Sequence, residues 1–161
     1  MAKYEAGFIG AGNMAGAIIK GMTVGTGSFE GKDIFVYDLN ASAAKSLADI
    51  CKVNVCNSAE DVIASSDVLV LAVKPNVLPD VVTQLKNKII EKSPLVISIA
   101  AGKSLEFLEG LIAKDFPIVR VMPNINAKVG CATSAFCTTE TVSDEQKDIV
   151  KKLFSTVGAV T

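Results

Sequence analysis

Two glycines, one residue apart, stand between an apolar run at residues 6–9 and a helix-compatible stretch at residues 14–20. In the dinucleotide-binding fingerprint, the first glycine permits a tight turn, the second lets a pyrophosphate approach the backbone, and a third small residue lets the helix pack on the strand. Gly10, Gly12 and Ala15 occupy these three positions. The sequence therefore predicts a strand, a turn and a helix that together hold a dinucleotide.

Such a turn needs no basic side chain, because the open N–H groups and the positive dipole end of the helix attract the phosphates. A turn that serves strand–helix packing alone is the alternative interpretation. The cofactor contacts predicted in this stretch are Ile9, Gly10, Ala11, Gly12, Asn13, Met14 and Ala15.

Strand and helix patterns alternate along the rest of the chain, with short connections between them. Residues 68–73 are apolar at every position, which is typical of a strand covered by helices on both faces. This alternation predicts a doubly wound α/β fold of the Rossmann type, with a mostly parallel sheet and helices on both faces. Further strands are predicted at residues 34–37, 52–55, 95–99, 118–121 and 132–137. Helices are predicted to start near Asn40, Ser58, Val77, Ser104 and Ser143.

Ligands of such sheets bind outside the carboxyl ends of the strands, where the strand order reverses. Asp38 ends the second predicted strand, where the fingerprint places an acid that accepts hydrogen bonds from the adenosine ribose. A carboxylate there repels a 2′-phosphate and so favours NAD(H) over NADP(H), a preference that Lys45 would soften if it pointed into the same pocket. A plain turn residue is the alternative interpretation of Asp38.

Two other polar positions follow predicted strands. Lys74 precedes a proline and is expected to be extended at the crevice, where it would meet a carboxylate or phosphate or else be an ordinary solvated lysine. Pro123 must end the sixth strand, which leaves the Asn124 amide free to face a ligand on the substrate side of the crevice. A simple strand-ending turn is the alternative there.

Composition narrows the function. The net charge is −1 over 161 residues, so we expect neither DNA nor RNA as a partner. No apolar segment approaches the roughly 20 residues that span a bilayer, so we expect a cytoplasmic protein without membrane contact. The four cysteines form no Cys-x-x-Cys pair, and we interpret them as small buried residues rather than metal ligands. Because the chain has no histidine, it suits hydride transfer to a C=N bond better than to a C=O bond, which usually needs an acid.

Four stretches in order resemble the N-terminal domain of the pyrroline-5-carboxylate reductase family. They are GFIGAGNM at residues 7–14, LAVKP at 71–75, VISIAAG at 96–102 and RVMPN at 120–124. The resemblance implies NADPH- or NADH-dependent reduction of the cyclic imine 1-pyrroline-5-carboxylate to L-proline. It also implies cofactor contacts at Asn57, Ala72, Val73, Lys74, Pro75, Ala100, Ala101 and Gly102. This chain departs from the family at two places. The family usually has Met-Pro-Asn-Thr-Pro where this chain has MPNIN. The second strand of family members often ends in residues that favour NADPH more than Asp38 does.

Members of that family continue into a helical domain that supplies the substrate loop and the dimer interface. We therefore expect residues 1–161 to form the dinucleotide-binding domain, to lack that second domain, and to bind cofactor with little turnover. The resemblance implies a homo-oligomer for the full-length protein. Three alternatives remain open: another hydroxyacid- or prephenate-type dehydrogenase domain, a non-catalytic dinucleotide-binding module, and an S-adenosylmethionine-dependent methyltransferase.

Overall fold

The computed structural model describes residues 4–25, 29–100, 103–122, 132–155 and 158–160. Within these ranges, eight strands form a sheet in the order β3-β2-β1-β4-β5-β6-β7-β8. The strands are β1 Ala6–Ile9, β2 Ile34–Tyr37, β3 Asn54–Val55, β4 Val68–Leu71, β5 Leu95–Ser98, β6 Ile118–Met122, β7 Ala132–Thr138 and β8 Gly158–Val160.

The first six strands pair in parallel, and their order reverses at β1, which lies between β2 and β4. β7 then pairs antiparallel with β6, and β8 pairs parallel with β7. The doubly wound, mostly parallel sheet predicted from the sequence is confirmed. The reversal at β1 fixes where the ligand crevice of such a fold lies.

Six α-helices are present in the described residues: α1 Asn13–Lys20, α2 Ala41–Cys51, α3 Ala59–Ser65, α4 Leu78–Lys92, α5 Leu105–Leu111 and α6 Asp144–Ser155. Side-chain caps confirm four of the predicted helix starts, since the oxygens of Asn40, Ser58, Ser104 and Ser143 accept hydrogen bonds from first-turn amides. No helix in the described ranges is long and apolar enough to cross a bilayer.

The helices cover the two faces of the sheet and form two apolar layers. Helices α1, α2 and α6 pack on one face, where Ile18, Leu47 and Phe154 are buried. Helices α3, α4 and α5 pack on the other, with Val62 and Leu85 among the buried side chains. All four residues of β4 are buried, as expected for a strand covered on both sides.

Several predicted boundaries were wrong. The fourth strand was predicted to reach Val73 but ends at Leu71, because its neighbour β1 ends at Ile9 and the chain turns away at Gly10. The third strand was predicted over residues 52–55, but only two residues pair with β2, at the sheet edge. The first helix continues beyond the helix-compatible stretch at residues 14–20 into a π-helical segment, Gly21–Gly25.

The cysteines are less uniform than predicted. Cys51 is buried and Cys56 is half-buried, but Cys137 is exposed, so the expectation of buried cysteines was wrong for that residue. Cys137 lies opposite Arg120 in the antiparallel pair of β6 and β7, outside the six parallel strands. Cys131 lies outside the described residues.

Candidate dinucleotide site

The carboxyl ends of the central strands lie at one level. Ile9 of β1 pairs with Tyr37 on one side and with Leu71 on the other, and Leu71 pairs with Ser98 of β5. The segments that follow these residues therefore meet at one edge of the sheet. They contain the glycine turn, Asp38, and the stretches that begin at Ala72 and at Ile99.

Gly10 is fixed at the point where the strand order reverses. Its φ is +110°, and a Cβ atom there would lie 2.7 Å from the carbonyl oxygen of Ala72. Its N–H donates to the carbonyl oxygen of Tyr37 at 2.8 Å. Because side chains rarely adopt this φ and the backbone after β4 leaves no room for one, only glycine fits this position.

Gly12 differs from Gly10 in its surroundings. It is the N-terminal cap of α1, it is exposed, and a Cβ atom built on it meets nothing within 4 Å. Ala15, one turn further along, is 1% exposed and belongs to the core on that face. The first turn of α1 carries no acidic residue, so an anion can approach Gly12 and the positive end of the helix. These three positions fit the predicted pyrophosphate-binding turn.

Asp38 ties the glycine turn to the end of β2. Its Oδ2 accepts a hydrogen bond from the Ala11 N–H at 2.7 Å, and its Oδ1 accepts one from the Asn40 N–H, also at 2.7 Å. This residue is thus part of a turn, as the structural interpretation expected. Each carboxylate oxygen keeps a second lone pair, so Asp38 can also accept a ribose hydroxyl.

A cavity of about 260 Å³ lies beside the glycine turn and is lined by both polar and apolar residues. Its lining residues come from the ends of β1 and β2, the start of α3, the segment after β4, and α4. They are Ile9, Gly10, Tyr37, Asp38, Leu39, Ser58, Ala59, Glu60, Val73, Val77, Val81, Gln84 and Leu85. The shared Gly10 makes the turn and the cavity one continuous site.

The other predicted contact residues differ in where they lie. Ala72 and Val73 follow β4 at the same edge, and Val73 lines the cavity. Asn57 is exposed in the bend before α3 but is not among the described lining residues. Ala100 is buried, and its N–H donates to Ser98 Oγ at 3.3 Å. Ala101, Gly102, Pro123 and Asn124 lie outside the described residues.

Lys74 lies in the turn that leads into α4. The Lys74 side chain is exposed, and its carbonyl oxygen accepts hydrogen bonds from the Val77 and Leu78 amides at 2.9 and 3.0 Å. Pro75 is half-buried. The backbone of Lys74 therefore has a structural role, and its side chain remains available to an anionic ligand. Lys45 is exposed on α2 and is not among the described lining residues of the cavity.

Sequence reasoning missed most of the cavity wall. Val77, which caps α4, and Val81 and Leu85 within the helix line the cavity at a spacing of four residues. The sequence shows this periodicity, but it equally fits burial in the core. Leu39, directly after Asp38, is 90% exposed and also lines the cavity. Glu60 lies in the first turn of α3, where its sequence position indicates helix capping rather than ligand contact.

Cys56 precedes α3 near the rim of this site. Burial, together with the negative charge of Asp61, raises the pKa of the Cys56 thiol above its ordinary value. A raised pKa lowers the thiolate fraction at neutral pH, so this cysteine is a poor nucleophile. Among the described residues, no three His, Cys, Asp or Glu side chains are placed to hold a metal ion.

Comparison with known families decides where the chain belongs. A family model described as NADP oxidoreductase, coenzyme F420-dependent, matches residues 5–102. This range is more than half of the chain and contains β1 to β5, the glycine turn and the cavity. The chain belongs to this NADP oxidoreductase family. The family assignment thus agrees with the site that the geometry builds.

Individual proteins that are similar to this chain match almost its whole length. The pyrroline-5-carboxylate reductase of Methanosarcina acetivorans is 36% identical over 158 residues, which are 98% of this chain and 58% of that protein. The structure of a pyrroline-5-carboxylate reductase from Coxiella burnetii matches with a TM-score of 0.93 and 30% identity, over 99% of this chain and 58% of that one.

The Plasmodium falciparum pyrroline carboxylate reductase, solved with NADP bound, matches with a TM-score of 0.85 and 26% identity, over 100% of this chain and 58% of that one. The chain therefore spans a little over half the length of these relatives. The resemblance to the N-terminal domain of pyrroline-5-carboxylate reductases, inferred from four short motifs, is confirmed.

Proposed function

We propose that this chain is the dinucleotide-binding domain, residues 1–161, of a reductase that uses NADH or NADPH. The observation that carries the proposal is the pair of glycines at the reversal of strand order. Gly10 is obligatory for the backbone, with φ +110°, whereas Gly12 is exposed and has open space where a side chain would lie. A plain packing turn needs the first glycine but not the second, and a pyrophosphate needs both.

Each part of the site has a role in holding the cofactor. The N terminus of α1 binds the pyrophosphate, and Asp38 accepts hydrogen bonds from the adenosine ribose. The apolar cavity wall of Leu39, Val77 and Val81 holds the adenine. We assign Ala72 and Ala100 to the nicotinamide half, a proposal supported by their position after β4 and β5 at the same sheet edge.

For the whole protein we propose reduction of 1-pyrroline-5-carboxylate to L-proline, the last step of proline biosynthesis. Support comes from relatives of that name that match 98% of this chain at 36% and 35% identity. The bound cofactor supplies a hydride, which adds to the carbon of a protonated imine. This chain supplies orientation, because the turn and the cavity fix one end of the dinucleotide and so direct its other end.

We further propose that the full-length protein is a cytoplasmic homo-oligomer and that the 161-residue chain alone binds cofactor with little turnover. The chain spans 58% and 56% of the lengths of two matched reductases, and the residues that contact substrate are expected in the remainder. A steady-state assay of proline formation checks this. Normal turnover by the chain alone would disprove the two-domain part of the proposal.

Calorimetric titration of the 161-residue chain with NADH and with NADPH tests the binding site itself. We expect saturable one-site binding of at least one of them. The matched variant is Gly12→Ala, which alters the pyrophosphate contact and leaves the backbone conformation allowed. If neither cofactor bound to the folded chain, the site would be structural and the proposal would fail.

A further inference from the structure

The charged side chains that line the cavity beside the glycine turn are all negative in the described part of the lining. Among its described lining residues two are charged, Asp38 and Glu60, and both are acids. The remaining polar lining residues are Tyr37, Ser58 and Gln84, which are uncharged. A lysine or arginine is therefore absent from the described part of the lining.

The two carboxylates come from different elements and line the same cavity. Asp38 directly follows β2 and is held there by hydrogen bonds from the amides of Ala11 and Asn40. Glu60 lies in the first turn of α3, whose start is fixed by a hydrogen bond at 3.2 Å from the Asp61 N–H to Ser58 Oγ. Helix α3 packs against β1 and β2, so its first turn stays beside the end of β2.

The Glu60 side chain is exposed, and within the described part of the chain it forms no salt bridge. Its charge is therefore not neutralised by a neighbour and acts on whatever occupies the cavity. An acid at the end of the second strand faces the ribose 2′-position of a bound dinucleotide. A phosphate at that position carries about −1.5 to −2 charges and is normally bound by arginine.

We propose that Glu60 is a specificity-determining residue of this site, which disfavours an adenosine 2′-phosphate and so favours NADH over NADPH. The inference rests on the proposed dinucleotide site and deepens it by naming the cofactor. A relative was solved with NADP bound, so the fold itself does not exclude a 2′-phosphate, and residues that line the site must decide whether one is accepted. Here Glu60 adds a second negative charge to that of Asp38.

Glu60 is a cleaner test of this preference than Asp38. Both Asp38 oxygens already accept backbone hydrogen bonds. Replacing Asp38 would therefore disturb the glycine turn and weaken the binding of NADH and NADPH alike. Glu60 makes no such bond in the described residues, and its replacement changes charge alone. Asp61 offers a matched control, because it is the next residue of the same helical turn, is also exposed, and does not line the cavity.

The experiment titrates the unmodified chain, Glu60→Gln and Asp61→Asn with NADH and with NADPH at low salt, after thermal melts have shown that all three fold. We expect the unmodified chain to bind NADH more tightly. Glu60→Gln should narrow the ratio of the two Kd values about threefold to tenfold, mainly by tightening NADPH. Asp61→Asn should change the ratio of the two Kd values less than about twofold, because Asp61 is exposed, does not line the cavity and is screened by solvent.

Added salt supplies a second readout. Salt should narrow the ratio of the NADPH and NADH Kd values in the unmodified chain more than in Glu60→Gln. The reason is that exposed charges are screened over about 10 Å at 0.1 M salt. Tighter binding of NADPH by the unmodified chain, or a ratio that Glu60→Gln leaves unchanged, would overturn the inference while the dinucleotide site stands. Failure to bind either cofactor would overturn the proposed function as well, so the two failures are distinct.

Discussion

An added methyl group should lower the free energy of unfolding at Gly10 and leave it almost unchanged at Gly12. In Gly10→Ala the new Cβ would meet the Ala72 carbonyl oxygen at 2.7 Å with φ at +110°, so we expect a loss of about 2–4 kcal/mol in the free energy of unfolding. In Gly12→Ala the methyl enters open space at φ −74°, so stability should stay within about 0.5 kcal/mol. Denaturant melts measure both changes.

Cofactor titration completes that comparison. Gly12→Ala should weaken dinucleotide binding about tenfold or more, because the methyl group occupies the approach of the pyrophosphate, and tenfold corresponds to about 1.4 kcal/mol. Full binding by a stable Gly12→Ala variant would show that the phosphates lie elsewhere. A Gly10→Ala variant as stable as the unmodified chain would contradict the geometry of the turn.

The thiols of Cys56 and Cys137 should differ in reactivity. Burial and then the charge of Asp61 raise the pKa of Cys56, so less of it is thiolate at any pH below that pKa, whereas Cys137 is exposed. Iodoacetamide at pH 7.5, followed by peptide mass spectrometry, should modify Cys137 faster. Raising the pH should increase the Cys56 rate, and Asp61→Asn should increase it at constant pH. Faster modification of Cys56 in the unmodified chain would be inconsistent with this environment.

At the level of elements, α6 depends on a reciprocal cap. The Gln146 N–H donates to Ser143 Oγ at 3.1 Å, and the Ser143 N–H donates to Gln146 Oε1 at 2.9 Å. This cap fixes the start of the helix that buries Leu153 and Phe154. We expect Ser143→Ala to cost about 1 kcal/mol in the free energy of unfolding.

Ser46 provides the control for that substitution, since it is exposed in the interior of α2. There, Ser46→Ala should be neutral or slightly stabilising, because alanine is the better helix former. Equal melting temperatures for the two variants would mean that the cap contributes no net stability to α6.

Elements with a local signal were predictable from sequence, and elements defined by their partners were not. The helix starts at Ser58 and Ser143 follow from capping chemistry between residues three apart. The end of β4 at Leu71 depends instead on where β1 stops, which is a contact between distant residues. The short strand Gly158–Val160 has no alternation of its own and exists through its pairing with β7.

The residues of the site divide in the same way, into those with a local sequence signal and those placed by distant contacts. Gly10, Gly12 and Asp38 belong to a motif whose spacing reflects one turn and one strand, so the sequence alone singles them out. Gly10 and Asp38 line the cavity, and Gly12 caps α1 beside it. Glu60 and Val81 reach it from α3 and α4, after the chain has crossed the sheet. Only the packing of those helices shows that they face the same space. The two backbone hydrogen bonds to Asp38 also give it a structural role that the motif does not predict.

At the scale of the whole molecule, the turn joins the ligand site to the sheet. The Gly10 N–H donates to Tyr37 of β2, and the Ala72 N–H donates to the carbonyl oxygen of Ile9, so the loop is hydrogen-bonded to both neighbours of β1. Global unfolding must therefore separate the strands that hold the dinucleotide. A cofactor that binds this edge should bind the folded chain and not the unfolded one.

Thermal unfolding should consequently depend on cofactor concentration. A ligand at 100 times its Kd adds about 2.7 kcal/mol to the folded state. For a chain of this length that increment raises Tm by about 5–10 °C. Scanning calorimetry with increasing NADH should show this rise in the unmodified chain, whereas Gly12→Ala should start from nearly the same Tm and rise much less. A rise of equal size in both would mean that the stabilising ligand binds outside the glycine turn, and the link between the turn and the site would be lost.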